Sequence, residues 1–206
     1  MKKSFLAAAL LISSAIISQP KIVGTYYFRK QELVAGFNFT EGEKFEFFFS
    51  YGAVDRNAKG TFLVVGDTVK LNSDKKGGKD FTITKQSKTG TGYMLQFQDA
   101  NKYLLQNIIC VFVAKGKEQQ LRTDSKGMVK VNLPHCEKIY VHHALYPDVS
   151  TLVKDEKNTN NNFTLTLNPS LEQVSFKWLN LLIKKDRLSL MPSYFMPMEG
   201  IEFEKE

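Results

Sequence analysis

Three observations predict an all-β protein. Short runs of apolar and polar residues alternate with period two, turn signals separate them, and an export signal precedes them all. The expected architecture is two small antiparallel β domains after a signal peptide. Residues 1–18 are the signal, 19–105 a barrel or sandwich, 106–190 a second sandwich, and 191–206 a tail.

The alternation is clearest in Lys44–Phe49. Phe45, Phe47 and Phe49 share one side, and Lys44, Glu46 and Phe48 share the other, as the pleat of a half-buried strand requires. Thr61–Val65 and Thr68–Leu71 flank Gly66-Asp67, a two-residue hairpin signal because glycine takes positive φ without a steric cost. Phe81 and Ile83 continue the pattern, as do Tyr93, Leu95 and Phe97. The loop 72–80 carries Gly77-Gly78. Beyond Gln106 the apolar run Ile108–Val113 suits a strand covered on both faces. Met128–Val131 resumes a strand after a turn at Asp124–Gly127. Ile139, Val141 and His143 alternate with Tyr140 and His142, and Phe163, Leu165 and Leu167 with Thr164 and Thr166. Phe176–Ile183 leads to Leu188 and Leu190 across a four-residue loop, Lys184–Arg187. The tail carries Pro192 and Pro197 and reads as an edge segment fading into disorder. No pattern before Leu105 supports a helix longer than about two turns.

Lys2 and Lys3 precede the mostly apolar run Phe5–Ile17, which is signal-peptide-like and short for a membrane span. Cleavage is expected after Ser18, or alternatively after Ala15, and no cysteine stands nearby to carry a lipid. The expected location is therefore periplasmic or secreted, with no membrane-spanning segment after cleavage. The formal charge of +7 is scattered over turn-rich loops, such as Lys75, Lys76 and Lys79. Nucleic-acid binding calls instead for a basic stripe interleaved with exposed aromatics, so no nucleic-acid partner is expected. The 16 phenylalanines and 8 tyrosines fall mainly at alternating strand positions, which assigns them to core faces.

Two stretches resemble known families. Gly24-Thr25-Tyr26, the Phe45 strand and the Gly60–Leu71 hairpin resemble lipocalin-like modules of exported bacterial proteins. Thr123–Val129, Ile139-Tyr140-Val141 and Phe163–Leu167 resemble the carboxypeptidase regulatory-like domain, a transthyretin-like sandwich akin to Ig folds. The second likeness implies a non-catalytic structural or recognition module and carries no functional residues with it.

Catalytic signatures are absent: there is no G-x-S-x-G elbow, phosphate loop or H-E-x-x-H. His142 and His143 point to opposite faces of a strand and cannot easily share a metal; with His135 and Cys136 they read as structural or surface residues. Neither a metal nor another cofactor is expected. Cys110 and Cys136, the only cysteines, suit one disulfide in an exported protein, the alternative being a buried free thiol at Cys110. The leading functional expectation is an exported non-catalytic binding or accessory protein that contacts an envelope protein or a glycan. Trp178, Tyr194 and Phe195 are its candidate interaction patch. The alternative is a carrier of a small apolar ligand, with Phe37, Phe45, Phe47, Tyr93 and Phe97 lining the N-terminal barrel, and an exported hydrolase comes third.

Overall fold

The computed structural model describes residues 22–52 and 54–206, so the signal segment and its cleavage site lie outside the described residues. In chain order the strands begin with β1 (Gly24–Lys30), β2 (Leu33–Thr40), β3 (Lys44–Tyr51), β4 (Val54–Val65) and β5 (Thr68–Ser73). Next come β6 (Phe81–Ser87), β7 (Tyr93–Gln98), β8 (Ile108–Ala114), β9 (Lys117–Arg122), β10 (Met128–Val131) and β11 (Lys138–His143). The last five are β12 (Tyr146–Lys154), β13 (Asn162–Leu167), β14 (Lys177–Lys184), β15 (Arg187–Leu190) and β16 (Ile201–Lys205). Among the described residues the helical segments are two short 3-10 turns, Lys102–Asn107 and Pro169–Glu172. The protein is all-β, as its alternation predicts.

The strands do not divide at residue 105. A closed barrel takes the order β1-β16-β15-β14-β5-β4-β3-β2, so it is assembled from both ends of the chain. Strands β6 to β13 form two four-stranded sheets, β10-β7-β13-β6 and β12-β11-β8-β9. These two sheets bury Leu95, Phe97, Phe163 and Leu165 from one against Ile108, Phe112, Ile139 and Val141 from the other. The sandwich is therefore an insertion between β5 and β14, and the expected two-domain division is corrected. Its physical basis is long-range: Ser73 N–H donates to Phe176 O at 3.0 Å and Phe176 N–H donates to Ser73 Oγ at 2.8 Å, closing the ladder around the insertion. Local periodicity carries no information about such a partner.

The tail is corrected as well. Ile201 and Phe203 are fully buried in the barrel, and β16 pairs with both β15 and β1, which closes the cylinder. Glu202 and Glu204 point outward to Arg187, at 3.1 and 3.0 Å, and Lys184 adds a second bridge to Glu202. The loop at Lys184–Arg187 is tighter than its sequence suggests. Lys184 pairs directly with Arg187, leaving Lys185-Asp186 as a two-residue turn with Lys185 at φ 55°.

Inside the barrel, aromatic rings take up the space that a small cylinder leaves for side chains. Phe37 lies 4.7 Å from Phe47 and 4.9 Å from Phe203, centroid to centroid, and Phe176 lies 5.1 Å from Phe47. Edge-to-face and tilted contacts of this kind add about 0.5–1.5 kcal/mol each beyond area burial.

The two links between barrel and sandwich, residues 74–80 and 168–176, run side by side and are joined by hydrogen bonds. Lys75 Nζ donates to Gln173 O at 2.8 Å and pairs with Asp80 at 3.0 Å. Asn168 Nδ2 and Ser170 Oγ both donate to Lys79 O, at 2.7 and 2.8 Å. Val174 N–H donates to Asn57 O on β4 at 2.7 Å. Burial pushes the Lys75 ammonium below its ordinary pKa, and the Asp80 carboxylate opposes that shift. A doubled connection tied at this many points makes the two units a fixed pair, and it positions the cleft between them.

Candidate functional site

Strand β4 sends Arg56, Ala58, Gly60, Phe62 and Val64 inward in strict alternation. Arg56 is the charged member of that row, at the end of the barrel nearest the sandwich. Its side chain is 4% exposed and that of its partner, Asp148 on β12, is 0% exposed, so this is a fully desolvated ion pair. Asp148 Oδ2 accepts from Arg56, and Oδ1 accepts from the Tyr194 hydroxyl and, at 3.0 Å, from Ser175 N–H. The Tyr146 ring lies 5.6 Å from the guanidinium. Burial lowers the Arg56 pKa, with the surrounding tyrosines and Asp80 acting the other way. Burial of its hydroxyl likewise raises Tyr194, keeping the phenol protonated as the donor to Asp148.

Asp148 and Tyr194 of this cluster line an open cleft of about 430 Å³ between barrel and sandwich, walled also by Pro147, Phe176, Leu179 and Ser193 among others. The segment 193–196 is a tight turn, with Ser193 N–H donating to Met196 O and Met196 N–H to Ser193 O. It directs adjacent side chains oppositely. Phe195 is buried against Phe47 and Phe176, at 5.6 and 5.2 Å, while the Tyr194 ring stays 53% exposed with its hydroxyl anchored. Phe195 is thus part of the barrel core and leaves the expected patch.

Trp178 stays in it. Pairing slips between Lys177 and Leu179, which face Asn72 and Leu71, so Trp178 is the extra residue of a β-bulge. Its φ is 55° and it is 62% exposed. A bulky side chain in the left-handed region costs about 1–2 kcal/mol, and such exposure returns little of it through burial. Bulges re-aim side chains, and this one projects indole from the strand whose neighbouring residues, Lys177 and Leu179, line the cleft.

The expected carrier lining divides between two cores. Phe37, Phe45 and Phe47 lie in the barrel, whereas Tyr93 and Phe97 lie in the sandwich. The five rings therefore enclose no common space. Tyr93 instead holds a structural bond, its hydroxyl accepting from Cys136 N–H at 2.9 Å.

The expected disulfide is not formed, and both cysteines are buried free thiols. The register sets Lys138 against Val113 and Val141 against Cys110. Cys136, just ahead of β11, therefore docks beside Val113, where its Sγ lies 3.3 Å from Val113 O and 3.0 Å from Lys138 O. Three residues along β8 separate the two sites by roughly 10 Å, beyond the reach of a disulfide. Burial drives the Cys110 thiol far above its ordinary pKa, so it is inert at neutral pH.

Among the described residues no group of three or more His, Cys, Asp or Glu side chains converges on a common point. His135 is exposed, and His142 is half-buried on the face opposite His143. His143 is completely buried, its Nδ1 accepting from Leu145 N–H at 3.1 Å and its Nε2 lying 3.0 Å from Leu104 O. That pair of bonds requires the neutral ring with the proton on Nε2. Burial, chiefly, holds the pKa of His143 below its ordinary value, and burial lowers His142 as well. The unfolded chain therefore binds protons that the folded one refuses. Stability from this source is complete above about pH 6.5 and declines as pH falls toward the depressed folded pKa, at no more than about 1.4 kcal/mol per pH unit per histidine. Urea unfolding of His143→Gln between pH 7.5 and 5.5 should show a shallower decline than the parent chain. An equal decline in both would remove His143 as the cause.

Sequence reasoning missed Arg56 and Asp148. An arginine at an inward position of an alternating strand was the available signal, and Asp148 carried none. No helix among the described residues is long and apolar enough to cross a membrane. Compared with known proteins, the chain matches no family model, no curated protein and no solved structure.

Proposed function

We propose that the chain is an exported, non-catalytic binding or accessory protein, and that the barrel–sandwich cleft is where it contacts an envelope protein or a glycan. The observation that carries this reading is Trp178: a large aromatic held in a costly backbone conformation and left in solvent beside the cleft. Strain of that kind is retained where a side chain must be presented. Tyr194 adds a second exposed ring, fixed in orientation by Asp148, so little ordering is required when a partner arrives. A carrier role finds less support, because the barrel is packed with its own phenylalanines.

Sedimentation of the purified protein with isolated cell-envelope fractions tests the reading. Trp178→Gly and Tyr194→Ala should each weaken the apparent affinity at least about tenfold, the loss of one aromatic anchor worth ~1.4 kcal/mol or more. Trp178→Gly should melt no lower than the parent chain, because glycine relieves the left-handed strain. Undiminished sedimentation of both variants would refute the site.

A further inference from the structure

The cleft brings together an exposed aromatic ring, Tyr194, small hydroxyl groups and one charge with no salt-bridge partner among the described residues, Lys177, and the exposed Trp178 is next to Lys177 in the chain. Resting on the binding reading above, we infer that the cleft's ligand is an acidic glycan, an oligosaccharide bearing carboxylate groups. Shape, hydrogen bonding and charge each favour such a ligand.

Tyr194 is locked by its hydroxyl and offers a ring in solvent, and Trp178, exposed at the bulge in β14, stands in the chain between two residues that line the cleft, Lys177 and Leu179. Flat, pre-oriented rings with a polar surround suit the alternating C–H faces and hydroxyl edges of sugar rings. Ser175 and Ser193 on the cleft wall are small hydroxyl residues, matched to a ligand that is itself dense in hydroxyls. Two charged residues line the cleft, Asp148 and Lys177. Asp148 is neutralised by Arg56, and its oxygens also accept from Tyr194 and Ser175 N–H. Lys177 is exposed. The cleft therefore presents net positive charge to an incoming ligand, and a carboxylate is complementary to it.

Trp178 is the chain's one tryptophan and is flanked by two lining residues, so its fluorescence reports on the edge of this site. An array of uronate-bearing and uncharged oligosaccharides should show selective retention on the acidic members. Titration should then give a fluorescence change with a galacturonate trisaccharide at least tenfold more sensitive than with the galactose trisaccharide, which differs only in lacking carboxylates. Lys177→Ala should erase that preference, and 0.5 M salt should do the same. Tyr194→Phe should retain binding better than Tyr194→Ala. Equal binding of acidic and neutral sugars would overturn the charge assignment. No binding to any member of the array would overturn the glycan assignment. In that case, envelope sedimentation that still depends on Trp178 and Tyr194 would identify the partner as a protein, whereas sedimentation independent of them would remove the binding reading as well.

Discussion

Gly60→Ala should lower the thermal midpoint by about 6–12 °C, corresponding to about 3 kcal/mol in a protein of this size. A Cβ at Gly60 would stand 2.1 Å from Asn72 O and 2.7 Å from Ser73 Cα. Both are backbone atoms of β5, which is itself held by β14 on its far side. No rotamer change can relieve the overlap. The β4–β5 ladder would have to open at Gly60↔Ser73, next to the point where the insertion leaves the barrel. Gly60 owes nothing to backbone freedom, since its φ lies outside the left-handed region. Gly66 provides the opposite case: it has φ +60°, and an added methyl group would meet nothing within 4 Å. Gly66→Ala should therefore cost only the conformational penalty, about 1 kcal/mol, and shift the midpoint by about 2–4 °C. Differential scanning calorimetry on the two variants separates close approach from conformational freedom as reasons for a glycine. Equal shifts would show that β5 yields at Asn72 and that the crossing is not tight.

The strands were legible because the pleat writes itself locally: every second residue of β3, β4 and β7 is buried. Partners were not legible, because hydrogen bonding between strands leaves no mark on either sequence alone. Thus Phe37 and Phe97 look like neighbours in one core and belong to two. The last strand is a mixed case. Ile201 and Phe203 alternate with Glu202 and Glu204, a readable signal, yet Pro192 and Pro197 point to an ending when they mark only the excursion before β16. At the candidate site, the sequence offered Trp178, Tyr194 and Phe195 together as aromatic candidates for an exposed patch. It could not separate Tyr194 from Phe195, whose directions are set by a turn. Nor could it pair Arg56 with Asp148, which lie 92 residues apart.

Asp148→Ala should be among the most damaging single changes in the sandwich, at about 3–5 kcal/mol, although Asp148 belongs to neither hydrophobic core. The variant would leave the Arg56 guanidinium inside the protein with no anion, and Arg56 Nε already has no hydrogen-bond partner there. Ser175 N–H and the Tyr194 hydroxyl would lose their acceptor at the same stroke. Most of the cost is the stranded charge rather than the attraction lost, and this can be measured. Arg56→Met combined with Asp148→Leu removes both charges together and should recover most of the stability, because a desolvated pair contributes little net energy over apolar residues of similar volume. Denaturant unfolding of the two single variants and the double variant gives the coupling directly, and strictly additive losses would refute the pairing. The same double variant should still bind ligand poorly. With Asp148 gone the Tyr194 ring loses its anchor, so a protein restored in stability would carry a cleft whose platform is no longer held in place. Restored stability with undiminished binding would instead show that Tyr194 needs no fixing, and that the charge cluster serves only to join barrel and sandwich.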